Sequence, residues 1–196
     1  TFQTGQRVSL GGNADALIAD DLNGDGHPDL SAASSVSFAV FVFLGNGDGT
    51  LQPRQSFAAW VPVALTAADW NGDGLRDLAT MSSSVIPNHG RLAVFRGNGD
   101  GTFQDELATP SLAAHPDALV SADWNGDGFQ DLAAAIDDPR APDVALLLGR
   151  GDGTFEDPTF IDVGAAPVAL LALDLNGDGR SDLATANSAT HGVSAR

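Results

Sequence analysis

The 196-residue sequence contains no cysteine and no lysine, and only two glutamates, Glu106 and Glu156. Without cysteine there is no disulfide framework and no thiolate to act as nucleophile or metal ligand. Nine arginines against 26 acidic residues leave a formal charge of -17. A nucleic-acid partner is thereby excluded, because such binding is driven by Lys and Arg neutralising phosphates. No apolar run approaches the roughly 20 residues that span a bilayer, and Thr1 to Leu10 lacks the charged and apolar regions of a signal peptide. No membrane insertion is expected of this sequence. What is abundant is aspartate, with 24 copies. Asp and Glu are equivalent for solubility but not in tight turns, where the shorter side chain bonds its own backbone. Asp here serves geometry.

The aspartates fall in a repeat. The segment D-x-N-G-D-G-x-x-D-L occurs at Asp21 to Leu30, Asp69 to Leu78, Asp123 to Leu132 and Asp174 to Leu183, with steps of 48, 54 and 51 residues. A second motif, G-x-G-D-G-T-[LF], lies between them at Gly45 to Leu51, Gly97 to Phe103 and Gly149 to Phe155, each step being 52 residues. Two motifs alternating on one period define a repeated supersecondary unit.

Each unit reads as four short strands separated by turn signals. Small apolar segments precede the first motif at Ala16 to Ala19, Ala64 to Ala68, Ala118 to Ala122 and Ala169 to Leu173. Their small residues suit an innermost strand crowded around an axis. A second segment follows the motif directly, and a third, richer in large apolar residues, covers Phe38 to Leu44, Leu92 to Phe95 and Val144 to Leu148. A fourth strand is expected to start at Leu51, Phe103 and Phe155. Four strands in about 50 residues form the blade of a β-propeller. The expected fold is all-β, a single propeller domain over 1–196, with blades at about 14–58, 62–110, 116–163 and 167–196. Pro62, Pro116 and Pro167 share one register and fix how the chain enters a blade. Thr1-Phe2 matches Thr102-Phe103 and Thr154-Phe155, so 1–10 is expected to be an outer strand, and Gly192 to Arg196 the start of a third strand. Two architectures fit: a closed four-bladed ring completed by the N-terminal strand, or part of a larger propeller, and the second is favoured.

The first motif has the chemistry of a metal loop. Positions 1, 3, 5 and 9 carry Asp, Asn, Asp and Asp, placing hard oxygen donors on alternate residues of a curling loop, which selects calcium over zinc or copper. Glycines at positions 4 and 6 allow the positive φ that such a curl requires. Position 7 varies as His27, Leu75, Phe129 and Arg180, as suits a residue contributing only its backbone carbonyl. An EF-hand loop would end in a bidentate Glu at position 12, where this chain has Ala32, Thr80, Ala134 and Thr185. Clustered like charges repel, and a divalent ion removes that cost. Four Ca2+, one per repeat, would bring the formal charge from -17 to -9.

The paired motifs resemble the FG-GAP or VCBS-type repeat of the integrin alpha-subunit propeller and of secreted microbial propellers. The resemblance implies that the first motif joins the first two strands of a blade and binds Ca2+. That role falls to Asp21, Asn23, Asp25 and Asp29; to Asp69, Asn71, Asp73 and Asp77; to Asp123, Asn125, Asp127 and Asp131; and to Asp174, Asn176, Asp178 and Asp182. Leu51 and Arg150 depart from the second motif's usual Phe and Asn, and the blade count is below the seven usual in the family.

Asp48, Asp100 and Asp152 read as hairpin-turn residues, and Arg150-Gly151-Asp152 as a coincidental tripeptide inside one such turn. Trp70 and Trp124 alternate with Leu22 and Leu175, which points to packing, with sugar stacking as the alternative. His27, His89, His115 and His191 show no repeated relation to a nucleophile, so no catalytic residues are assigned and the chain is read as not an enzyme. The expected function is a calcium-binding extracellular module, adhesive or lectin-like, taking a glycan or protein ligand and open to self-association that completes a propeller. The alternative is an accessory or catalytic propeller of a larger secreted hydrolase or lyase.

Overall fold

The computed structural model describes residues 6–82, 90–107, 109, 111–112, 116–136, 143–164 and 166–195. Within them the chain is all-β. Ala16–Asp20 (β1), Asp29–Ser34 (β2), Ala39–Phe43 (β3) and Gln55–Ala58 (β4) form the first antiparallel sheet in chain order. The second sheet comprises Pro62–Ala68 (β5), Asp77–Ser82 (β6), Gly90–Phe95 (β7) and Ser111–Leu112 (β8). Pro116–Ala122 (β9), Asp131–Ile136 (β10), Val144–Leu147 (β11) and Thr159–Ile161 (β12) form the third, and Pro167–Leu173 (β13), Asp182–Asn187 (β14) and Gly192–Ala195 (β15) the fourth.

Each sheet is a blade. The up-and-down order puts the β1–β2 and β3–β4 connections at one end of blade 1 and the β2–β3 connection at the other, and the pattern repeats. Both Asp-rich motifs of a blade therefore share one end. Inner strands stand beside one another, β1 against β5, β5 against β9 and β9 against β13. Second strands are sandwiched between neighbouring blades. Accordingly β6 and β10, with sequences DLATMS and DLAAAI, are buried along their whole length, and a strand covered on both faces shows no polar alternation.

Three apolar clusters form the core, one at each junction. Leu22, Ala33, Val40 and Val42 of blade 1 meet Leu65, Leu78, Ala93 and Phe95 of blade 2. Trp70, Met81, Leu92 and Val94 meet Leu132, Ala145, Leu147 and Phe155 at the next junction. Ala133, Ala135 and Val144 meet Leu170 and Leu183 at the last. The core thus lies between blades, and no blade has one of its own.

Two expectations are corrected. Leu51, Phe103 and Phe155 do not open the fourth strands; each forms a single bridge, to Gly45, Gly97 and Gly149. Continuous pairing starts later, at Gln55 and Thr159 in blades 1 and 3, beyond Pro53 and Pro158, which lack the N–H a ladder needs. The N-terminal outer strand is also absent over residues 6–10. Gln6 donates to the Leu51 carbonyl at 3.5 Å and accepts from the Leu51 N–H at 2.8 Å, while Arg54 donates to the Ser9 carbonyl at 3.1 Å. This segment lies against blade 1; the expected match of Thr1-Phe2 falls outside the described residues. The four sheets form an arc and not a closed ring, because β1 and β13 each leave a face open, at Leu17 and at Leu171.

Candidate metal centre

Every first-motif loop is curled by bonds from the N–H groups of positions 4 and 6 to its first aspartate. In blade 1, Asp21 Oδ1 accepts from the N–H groups of Gly24 at 2.8 Å and Asp25 at 3.2 Å, and Oδ2 from that of Gly26 at 2.9 Å. Asn23 accepts from the Asp25 N–H and donates its amide to Asp25 Oδ2 at 2.9 Å, and Asp25 Oδ1 accepts from the His27 N–H at 2.8 Å. The pattern recurs around Asp69, Asn71 and Asp73, around Asp123, Asn125 and Asp127, and around Asp174, Asn176 and Asp178. The expected positive φ is present, at 75° and 84° in Gly24 and Gly26.

The aspartate at position 9 behaves differently. Asp29, Asp77 and Asp131 are fully buried. Their Oδ2 atoms accept from the N–H of position 2, in Leu22 at 2.9 Å, Trp70 at 3.2 Å and Trp124 at 3.1 Å. Their Oδ1 atoms accept from the first glycine of the second motif, in Gly45 at 2.7 Å, Gly97 at 2.9 Å and Gly149 at 2.8 Å. One carboxylate thus ties the two motifs of a blade together. Asp182 keeps its bond to Leu175 at 2.8 Å but is only partly buried. The side chain at position 7 closes the same joint: His27, Leu75 and Phe129 lie over Gly47, Gly99 and Gly151, where a Cβ would strike them. Sequence reading treated position 7 as a residue contributing its backbone carbonyl and position 9 as a ligand; their joining role was signalled only by the strict alternation of the two motifs along the chain.

Burial pushes the Asp77 and Asp131 carboxyls above the usual carboxylate range, against the pull of the N–H groups of Gly97 and Trp70 or of Gly149 and Trp124. Repulsion from Asp69 and Asp73, and from Asp123 and Asp127, adds to the rise. The exposed Asp25 is held below that range by the Asn23 amide and the His27 N–H, and Asp174 by the N–H groups of Gly179 and Gly177. Among the described residues ion pairs join Arg76 to Asp20 and Arg91 to Glu106, and neither reaches a motif carboxylate. No three described carboxylate or imidazole groups already converge as a metal cage. The donor set nonetheless fits a hard divalent cation: all ligand positions are oxygen, the Oδ atoms of Asp29, Asp77 and Asp131 each accept one of the bonds above and so keep a lone pair, and no ion pair reaches these buried carboxylates among the described residues.

Asp48, Asp100 and Asp152 are turn residues, each accepting from the N–H and hydroxyl of Thr50, Thr102 or Thr154. Arg150-Gly151-Asp152 is locked in its turn, with Arg150 donating to the Phe155 carbonyl and Arg96 to the Asp152 carbonyl. Trp70 is buried edge-on to Phe155, ring centroids 6.3 Å apart, and Leu22 is buried too, so this position packs. His89 and His115 lie outside the described residues, and His191 sits in an exposed turn at φ 52°. At the end opposite the Asp-rich loops, Phe38 and Trp60 are exposed with ring centroids 5.9 Å apart. Sequence reading missed this pair. Its signal was Trp60 standing two residues before Pro62, where the sister repeats have Ala114 and Ala165.

Four meandering blades side by side, each with an Asp-rich loop between its first two strands, define a β-propeller. The chain belongs to the FG-GAP-like repeat family, which matches residues 21–80, 83–134 and 123–185. It is 30% identical over 114 residues to integrin alpha-4 of Xenopus laevis, covering 54% of this chain and 11% of the integrin. Among solved structures it resembles an Agrocybe aegerita lectin described as recognising non-reducing terminal N-acetylglucosamine, with TM-score 0.60 and 25% identity over 85% of this chain and 45% of the lectin. The V. cholerae biofilm matrix protein Bap1 matches with TM-score 0.47 and 19% identity, over 87% of this chain and 23% of that protein. The chain therefore spans less than half the length of each of these relatives.

Proposed function

We propose that this chain is a calcium-stabilised, non-catalytic binding module that acts outside the cell on a glycan or protein ligand. The observation that carries the calcium reading is the charge arrangement of the loops. Each holds three carboxylates within nine residues, one of them fully buried in blades 1 to 3, and among the described residues no ion pair reaches them. In blade 1, Asp21, Asn23, Asp25 and Asp29 would hold the ion with the backbone carbonyl of His27, and the equivalent residues would do so in the other blades. Bound calcium supplies the positive charge that the buried carboxylates lack. Extracellular calcium modules bind at about 10⁻⁴ to 10⁻³ M, a range that suits a secreted setting.

The binding role is supported by family membership, by the integrin relative and by the lectin that shares the fold. The exposed Phe38–Trp60 pair offers an apolar platform for a sugar ring or an apolar side chain. A glycan array and a cell-adhesion assay, each with calcium and with EGTA, test the reading with Trp60→Ala as the control. Binding that requires calcium and is lost in Trp60→Ala is expected. Silence in both assays would reduce the chain to a scaffold.

A further inference from the structure

We infer that Asn98-Gly99, in the second motif of blade 2, is a site of spontaneous backbone modification at which Asn98 converts to isoaspartate, while Asn71-Gly72 of the same blade stays intact. In an Asn-Gly pair the glycine nitrogen, with no side chain to hinder its approach, can attack the asparagine side-chain carbonyl. Gly99 N bonds to Asn98 Cγ and the Cγ–Nδ2 bond breaks. The amide proton leaves with Nδ2 as ammonia, and a five-membered succinimide remains. Water then opens either ring carbonyl, giving aspartate or, with the main chain routed through the former side chain, isoaspartate. The sum is one water taken up and one ammonia released, with no redox partner. Asparagine precedes glycine at Asn23, Asn46, Asn71, Asn98, Asn125 and Asn176. Blade 2 carries one pair in each motif and stands between blades 1 and 3, so its two pairs are compared with both neighbours in place.

Hydrogen bonds separate the two. The Asn71 amide is held at both ends, its Oδ1 accepting from the Asp73 N–H at 2.9 Å and its Nδ2 donating to Asp73 Oδ2 at 2.9 Å. The attacking atom is held as well, because the Gly72 N–H donates to Asp69 Oδ1 at 2.7 Å. That bond retains the proton that must leave, and the carboxylate opposes the negative charge the nitrogen develops. The Gly99 N–H, by contrast, makes no hydrogen bond among the described residues. The nearby Asp100 carboxylate is taken by the N–H and hydroxyl of Thr102. Asn98 itself is exposed and bonds only exposed side chains, Nδ2 donating to Thr102 Oγ1 at 2.9 Å and Oδ1 accepting from Gln104 Nε2 at 3.1 Å. Water can replace both. Isoaspartate adds a main-chain atom inside the turn that the Asn98 N–H closes on the Thr102 carbonyl at 3.0 Å. The preceding Gly97 N–H is the one that Asp77 clasps, so the product loosens the joint between the motifs of blade 2. Blade 3 has Arg150 at this position and cannot react. This reading does not depend on calcium or on a glycan ligand.

The test holds the full chain folded at mildly alkaline pH and follows each asparagine by peptide mass spectrometry that separates isoaspartate from aspartate. Asn98 should be lost at least about tenfold faster than Asn71, as the charged bonds around Asn71 and Gly72 require, and isoaspartate should appear at position 98. In urea, where those bonds are gone, the two rates should converge. Gln104→Ala, an exposed change, should speed the loss of Asn98 by about two- to fivefold and leave Asn71 unaffected. The order should persist in EGTA at a temperature that keeps the β-type circular dichroism spectrum. Equal rates in the folded chain overturn the inference, as does an Asn98 that survives in the folded chain while the chain in urea is consumed. A difference that remains in urea, or that needs calcium, also overturns it, because the loop bonds would then not be its cause.

Discussion

At the scale of single residues, the aspartates divide by what their oxygens touch. Asp77 satisfies two buried N–H groups, whereas Asp182 satisfies one in a more open setting. Each stranded buried donor costs roughly 1 to 3 kcal/mol. Asp77→Ala should therefore lower stability by about 2 to 5 kcal/mol in urea unfolding, and Asp182→Ala by clearly less; equal losses would remove the joining role assigned to position 9. The turn aspartates give a pH test. Bonds from Thr50, Thr102 and Thr154 hold Asp48, Asp100 and Asp152 below the usual carboxylate range. Their folded values lie under the unfolded one, so their stabilisation is present above the unfolded value and is lost as pH falls through the folded value. Asp77 and Asp131 have the opposite sign: raised in the fold, they contribute fully in acid, and that contribution is lost as pH rises through their folded values. Thr102→Val should flatten part of the acid-side fall in melting temperature below about pH 4.

At the scale of elements, the unit is a motif pair and not a strand. Gly97 has ordinary φ, yet a Cβ there would be driven into the Arg76 backbone carbonyl. Backbone has little room to yield, so Gly97→Ala should cost about 2 to 4 kcal/mol in denaturant unfolding; a near-neutral result would mean that the two loops are not pressed together. The inner and second strands were legible in the sequence because turn glycines and Asp motifs bracket them closely. The fourth strands were not, because their start is decided by Pro53 and Pro158 and by what the third strand offers as a partner, and neither is visible in the repeat. Phe38 and Trp60 were missed for a related reason. They lie far apart along the chain, on two separate connections, and only the fold brings their rings together.

At the scale of the whole molecule, the proposed calcium ions would add stability beyond that of the chain itself. A site at tenfold its Kd contributes about 1.4 kcal/mol, hence several kcal/mol over four sites. For a domain of this size that corresponds to roughly 10 to 20 °C in melting temperature. Calorimetric scans with calcium and with EGTA should differ by such an interval, and an unchanged transition would dismiss the ion as a folding ligand. The sequence by itself determined the repeat, the all-β blade, the oxygen-rich loop and the family, because turn geometry and the chemistry of side-chain oxygens are local and recur in every repeat. Only the tertiary structure decided that the blades form an open arc, that the ninth aspartate of each complete blade is a buried clasp, and which apolar faces lie bare. Those properties depend on contacts between blades, and a repeat records what each blade contains but not whether a neighbour stands beside it.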